Sequence, residues 1–320
     1  MFKEIECEYH IPVLYEATLE KLVTNKEGVY LDCTLGGGGH SEGILKTLGD
    51  GGKLISIDQD QQAIDFAKKR LEKYGSKWEV YKDNFENLDT VLYLAGYDKI
   101  DGILMDIGVS STQLDDPERG FSFRYDTKLD MRMNKTAKIS AYEVVNEYEE
   151  GELAKIIYEY GEEKASRKIA RLIVEAREEK PIETTGELVD IIKMAVPFRR
   201  GAKGKKQKHP ATQTFQAIRI EVNRELEVLK TAIDKAVECL KPGGRLGIIT
   251  FHSLEDRIVK NKFRELATNC ICPPELPICM CNNKAKVKLV TRKPIAPTEE
   301  ELKFNIRARS SKLRVIEKLG

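Results

Sequence analysis

Regular alternation of short apolar segments with helical patterns, over the first third of this 320-residue chain, limits the possible folds more than any other feature. A helical pattern over residues 12–23 leads into segment 29–33, and segments 53–57, 78–81 and 100–105 likewise have the length and composition of strands. Residues 61–73 carry a helical pattern between the second and third. Strands spaced in this way are joined by right-handed crossovers into a parallel sheet with helices on its faces. The predicted class is α/β.

The rhythm stops at Asp106. Roughly 140 residues separate it from the next convincing strand, 245–250, against the dozen or so that a crossover helix needs. Ser140 with Glu143 and Thr184 with Glu187 have capping-box spacing, and apolar residues recur at helical intervals over 153–196. These signals predict an inserted helical domain over 114–208, with Pro181 and Pro197 ending helices. The sheet domain, 1–113, resumes over 209–320 with a helix spanning about 212–240, and Lys241-Pro242-Gly243-Gly244 turns into the fifth strand. Segments 287–291 and 312–316 complete a seven-stranded sheet.

At 41% apolar content the chain can build a sizeable core. No run of about eighteen apolar residues and no signal-peptide layout is present, which predicts a cytoplasmic address and no membrane partner. Seven cysteines, an odd number, argue against a disulfide framework. Charge is balanced overall, 53 basic against 52 acidic residues, but unevenly spread. Arg199, Arg200, Lys203, Lys205, Lys206 and Lys208 crowd one stretch, and Lys284, Lys286, Lys288, Arg292 and Lys293 form another. Either is read as a solvated face or as a binding surface for a phosphate-rich substrate.

The first strand ends in Asp32 and runs through Cys33-Thr34-Leu35 into Gly36-Gly37-Gly38-Gly39-His40, where a helix begins. Glycines permit positive φ and close approach of a ligand, and a helix N-terminus offers N–H donors to an anion. Asp58, about twenty residues further on at the end of the second strand, can accept both hydroxyls of a ribose. A nicotinamide dehydrogenase shares that pairing, but its third glycine is replaced here by Ser41 and its apolar strand end by Asp32. The acid-then-glycine order suits a zwitterionic amino-acid tail. Asn84-Phe85 sets an aromatic ring at the carboxyl edge of the third strand, where it can pack on adenine or simply join the core.

Blocks distributed over the whole chain resemble the bacterial 16S ribosomal RNA (cytosine-N4)-methyltransferases. They include His10-Ile11-Pro12-Val13-Leu14, Asp32 through Ser41, Ile57-Asp58-Gln59-Asp60, Asp106-Ile107-Gly108-Val109-Ser110-Ser111 with Gln113-Leu114-Asp115, and Arg119-Gly120-Phe121-Ser122-Phe123. Further on stand Leu129-Asp130-Met131-Arg132-Met133, Glu159-Tyr160-Gly161-Glu162-Glu163, His209-Pro210-Ala211-Thr212 with Thr214-Phe215-Gln216-Ala217, and Phe251-His252-Ser253-Leu254-Glu255-Asp256-Arg257. The resemblance implies a class I methyltransferase (Rossmann-like) sheet and S-adenosylmethionine as cofactor. It implies that Gly38, Gly39, His40, Asp58, Phe85, Asp106 and Gln113 contact that cofactor. The implied target is the N4 amine of a cytidine in 16S ribosomal RNA of the small ribosomal subunit.

A cytosine amine is a poor nucleophile because its lone pair is delocalised, so acceptors for its N–H groups would assist attack and take a proton. Many amino-methyltransferases carry Asp/Asn-Pro-Pro-aromatic after the fourth strand for this task; Asp106-Ile107-Gly108-Val109 stands there instead, with Asp106 as candidate catalytic acceptor. His252 and Ser253, just past the fifth strand, are candidate substrate contacts, and Glu255 and Arg257 are read as structural. Asp130 and Arg132 lie in a long loop that could shape the nucleotide pocket. Arg199, Arg200, Lys205 and Lys206 are candidate RNA-phosphate contacts. Cys270, Cys272, Cys279 and Cys281 fit either a structural zinc or reduced thiols. Two competing readings remain at this level: the nicotinamide-dependent dehydrogenase and a non-enzymatic ribosome-assembly factor that retains a nucleotide fold.

Overall fold

The computed structural model describes residues 12–196, 209–273 and 280–320, with the backbone alone at 111 and 112. The chain divides into two compact units, one of 1–108 with 226–320 and one of 109–225. Strands β1 (Val29–Asp32), β2 (Lys53–Asp58), β3 (Trp78–Lys82), β4 (Ile100–Asp106), β5 (Leu240–Thr250), β6 (Val287–Leu289) and β7 (Lys312–Lys318) belong to the first unit. They form one sheet in the order β3-β2-β1-β4-β5-β7-β6. The first five are parallel, and β7 runs antiparallel to both β5 and β6. This is the α/β arrangement that the alternating pattern predicts, with the seven strands completed by the later segments, and it is the class I methyltransferase sheet that the resemblance implies.

Helices α1 (Tyr15–Leu22), α2 (Gly39–Thr47), α3 (Gln61–Leu71) and α4 (Leu88–Leu94) precede the second unit. That unit holds α5 (Ser111–Asp115), α6 (Ala141–Glu147), α7 (Glu150–Glu159), α8 (Ser166–Glu179), α9 (Thr185–Ala195) and α10 (Ala211–Asn223). Then come α11 (Glu225–Cys239), α12 (Ser253–Leu266) and α13 (Glu299–Phe304).

Parallel strands buried on both faces need apolar residues at consecutive positions, because neighbours point to opposite sides. Leu31, Ile55 and Ile248 pack with Val91 of α4, Ile233 of α11 and Phe263 of α12. Their neighbours Tyr30, Leu54 and Ile249 pack on the other face with Leu22 of α1, Ile44 of α2 and Leu71 of α3. Both expected capping boxes form: Glu143 Oε2 accepts from Ser140 N at 2.6 Å, and Glu187 Oε2 accepts from Thr184 N at 3.1 Å. Helix α8 stops before Pro181, whose ring disfavours helical backbone at the preceding residue. Pro197 lies outside the described residues.

The helix expected over 212–240 is instead two helices, broken where Arg224 takes a left-handed φ of 51°. Asn223 is drawn aside there, donating Nδ2–H to Met131 O and accepting from Met133 N, each at 2.8 Å. Ala211, Phe215 and Ile218 of α10 pack in the core of the helical unit with Leu153, Ile157 and Ile192. The helical unit therefore ends at 225 rather than 208. Among the described residues no helix is long and apolar enough to cross a membrane.

Candidate active site

Strand order reverses between β1 and β4, which in an open parallel sheet opens a crevice at the carboxyl ends of the strands. The turn leaving β1 is tied to both neighbours: Cys33 N donates to Leu104 O at 2.9 Å and Leu35 N to Ile57 O at 3.0 Å. Gly36 and Gly38 sit at φ 49° and 73°, a left-handed conformation that strains any residue with a Cβ. Gly38 is the N-cap of α2 and no side chain caps the helix, so its first turn is presented without a competing carboxylate or hydroxyl cap. Arg70 of α3 braces the turn, donating to Gly37 O at 2.9 Å while its other nitrogens bind Glu42. Burial pushes the Glu42 carboxyl up, but hydrogen bonds from Lys73 and Arg70 outweigh it and hold the group at about 2.

Asp32 is fully buried and serves the turn. Its Oδ1 accepts from Thr34 N at 3.1 Å, and its Oδ2 accepts from Ser41 Oγ at 2.7 Å. Ser41 Oγ in turn lies 3.0 Å from Ser56 Oγ, which accepts from Trp78 Nε1 at 3.0 Å. Ser41 thus does more than replace a fingerprint glycine. It supplies the hydroxyl that makes an acidic strand end tolerable inside the sheet, where an orphaned carboxylate would be strongly destabilising.

Asp58 ends β2 with each carboxylate oxygen on a backbone donor: Oδ2 on Gly36 N and Oδ1 on Asp60 N, both at 2.8 Å. Burial raises its pKa to about 6, the two N–H bonds oppose the rise, and the charges of Asp60 and Asp32 add to it. Each oxygen keeps a lone pair for a further donor. Asn84 caps the 3-10 turn after β3 and donates Nδ2–H to Gln59 Oε1 at 3.3 Å, setting Phe85 at the same carboxyl edge. Phe85 is half-buried and packs on the sheet core, so part of the ring is structural.

Asp106 ends β4, and its N–H donates to Thr34 Oγ1 at 2.7 Å. Asp106 Oδ2 lies 3.7 Å from Nε2 of His40 in the first turn of α2, a side chain only 6% exposed. Asp106 Oδ1 is shielded from solvent and has no hydrogen-bond partner among the described residues. Burial first, then the charges of Asp32 and Glu255, hold this carboxyl well above the usual range. His252 caps α12 after β5, its Nε2 2.9 Å from Oε1 of the fully buried Glu255. Glu255 Oε2 also accepts from Phe251 N at 2.7 Å and His252 N at 3.1 Å, as its structural reading anticipates. Ser253 is exposed at the start of α12.

Gln113, Asp130 and Arg132 belong to the helical unit. Gln113 is buried; its Oε1 accepts from Ser110 N at 3.0 Å and its N–H donates to Ser110 Oγ at 3.2 Å. Arg132 holds Asp130 through two side-chain bonds, Nε to Oδ1 at 3.0 Å and a terminal nitrogen to Oδ2 at 2.6 Å, and also donates to Ala137 O. Between them Met131 takes a left-handed φ of 59°, so the pair clamps a strained turn in its own loop. Gly161 meets α10 so closely that a Cβ would lie 2.7 Å from Gln213 O. Arg199, Arg200, Lys203, Lys205, Lys206, Lys208 and Cys279 lie outside the described residues, as do the first two residues of the block at 10–14.

The structure thus gathers Gly38, Gly39, His40, Asp58, Phe85 and Asp106 at one sheet edge. Thr34 and Ser41 lie inside the Asp32–Ser41 block, which marks neither as a bracing residue, and Glu42 and Arg70, which also brace the edge, carry no local sequence signal. A family model described as the MraW methylase family matches residues 8–319. Ribosomal RNA small subunit methyltransferase H of Fusobacterium nucleatum is 65% identical over 317 residues, 99% of each chain. The proteins of that name from Clostridium botulinum and Clostridioides difficile are 58% and 54% identical, each over 97% of this chain and 99% of theirs. With the site geometry, a family model and relatives that all run nearly end to end, the chain belongs to the MraW methylase family.

Proposed function

We propose that this protein methylates the exocyclic N4 amine of a cytidine in 16S ribosomal RNA of the small ribosomal subunit, using S-adenosylmethionine, in the cytoplasm. The observation that carries the reading is Asp106 Oδ1, a shielded carboxylate oxygen with no partner among the described residues, at the tip of β4 beside His40. The names of the relatives supply the substrate class. The residues at the sheet edge fit the cofactor: the turn at Gly38 and Gly39 and the first turn of α2 suit a carboxylate, Asp58 suits a ribose, and Phe85 offers a ring face. Bound S-adenosylmethionine supplies a methyl group activated by the sulfonium.

Asp106 Oδ1 accepts an N–H of the target amine, which turns the nitrogen lone pair toward the methyl carbon, and it then holds the proton lost on methylation. Its raised proton affinity suits it to that step, and His40 positions the carboxylate from the other side. The helical unit and the basic stretch at 199–208 bind the flanking RNA through phosphates. A dehydrogenase is disfavoured because Ser41 and Asp32 are committed to each other where the dinucleotide fingerprint needs glycine and an apolar strand end.

Asp106→Asn tests the assignment. It keeps an acceptor of similar shape and removes the proton sink, so kcat should fall by roughly 10²- to 10⁴-fold. S-adenosylmethionine affinity should change by no more than a few-fold. Nucleoside mass spectrometry on methylated small subunits should return N4-methylcytidine. Methylated adenosine as the sole product would refute the target, and equal losses in affinity and kcat would make Asp106 a cofactor anchor.

A further inference from the structure

We propose that Cys270, Cys272 and Cys281 bind one zinc ion through their thiolates, at a structural site separate from the methyl-transfer edge. The three sulfurs lie within 4.8 Å of one another. In a tetrahedral site with Zn–S near 2.3 Å, neighbouring sulfurs stand about 3.8 Å apart. Cys270 Sγ and Cys281 Sγ are 3.9 Å apart, close to that spacing and far beyond the roughly 2.05 Å of a disulfide bond.

The limbs carrying these thiols are fastened at their base. Lys286 N donates to Leu266 O at 2.8 Å, Ala285 N to Asn269 Oδ1 at 3.1 Å, and Asn283 Nδ2 to Thr268 O at 2.6 Å. Asn282, next to Cys281, takes a left-handed φ of 52°, which turns the chain tightly enough to bring that sulfur back to the other limb.

Two backbone N–H groups point at sulfur: Ile271 N to Cys281 Sγ at 3.4 Å and Met280 N to Cys272 Sγ at 3.3 Å. Among the described residues of the loop, the apolar side chains Ile271 and Met280 are 67% and 77% exposed and do not pack the thiols in place. A metal cross-link can hold such a segment together where exposed side chains do not. A tetrahedron takes one further donor, which a water molecule can supply.

The test is elemental analysis of untagged protein purified without chelator, followed by replacement with cobalt(II). About one zinc per chain is expected, and the cobalt form should show the sulfur-to-metal charge-transfer absorption and intense visible bands of a tetrahedral thiolate site. The double variant Cys270→Ser, Cys281→Ser should lose the metal while keeping the parent's circular dichroism and S-adenosylmethionine affinity. Should that variant fail to fold, limited proteolysis of the parent decides: a zinc chelator should accelerate cleavage in the loop, and added zinc should reverse it. Metal-free parent protein with reactive thiols, a disulfide among these cysteines in protein from a reducing cytosol, or cleavage indifferent to chelator would each overturn the proposal.

Discussion

Asp58 offers a direct route to the cofactor assignment, because its proton affinity is set by the site that is to receive the ribose. Burial holds its carboxyl at about 6. Hydroxyl donors from a ribose would stabilise the charged form and depress that pKa in the complex. The free protein then binds a proton near pH 6 that the complex does not hold until lower pH. Affinity is therefore fully expressed above about 6 and lost as pH falls, by at most one decade per unit, so that Kd is roughly tenfold weaker at pH 5. Asp58→Asn keeps one acceptor for Gly36 N or Asp60 N and removes the charge. It should weaken S-adenosylmethionine binding by roughly 1.5 to 3 kcal/mol, about ten- to 150-fold, the range for a hydrogen bond to a charged group. Calorimetric titrations of parent and variant between pH 5 and 8, on samples shown to be folded, read both effects. Asp106 also has a raised pKa and can contribute to the parent's slope, so the difference between the two profiles isolates Asp58. A variant that binds as tightly as the parent, or that keeps the parent's acid limb, would refute the reasoning.

Ser41→Ala removes the donor to buried Asp32 Oδ2 and should destabilise the fold by roughly 1.5 to 3 kcal/mol, read as a lower denaturant midpoint at unchanged slope; a midpoint equal to the parent's would mean that the network is dispensable. Neutralising Arg199, Arg200, Lys205 and Lys206 together should leave S-adenosylmethionine affinity unchanged, weaken binding to small-subunit RNA and flatten its salt dependence. An unaltered salt slope would remove that stretch from the binding surface.

What the sequence revealed was local or periodic. Gly36 and Gly38 announced a turn that only glycine adopts without strain, Asp58 was found by its distance from that turn, and Ser140 and Thr184 started helices through partners three residues away. Contacts between distant segments stayed hidden. Nothing near His40 points to Asp106, 66 positions later, because that pairing exists only once β1 and β4 are neighbours. The apolar period over 212–240 is continuous, so the break at Arg224 and the packing of α10 with the helical unit depend on where Phe215 and Ile218 find a core. The clamp that Asp130 and Arg132 form around a left-handed Met131 has no signature in composition, so the sequence offers them only as residues of a loop that could shape the nucleotide pocket.

The placement of the helical unit between β4 and β5 also governs how the protein is made. Ile100 pairs with Leu240, 140 positions later, so β4 emerges during synthesis long before its neighbour on that side. At about 5 to 20 residues per second the wait lasts roughly 7 to 30 s, far longer than a small helical unit needs to collapse. Throughout that interval the nascent sheet carries an open edge whose N–H and C=O groups can recruit any extended chain. The inserted unit, with its local contacts and capped helices, can complete its own core first and hold the growing chain compact until β5 closes the edge.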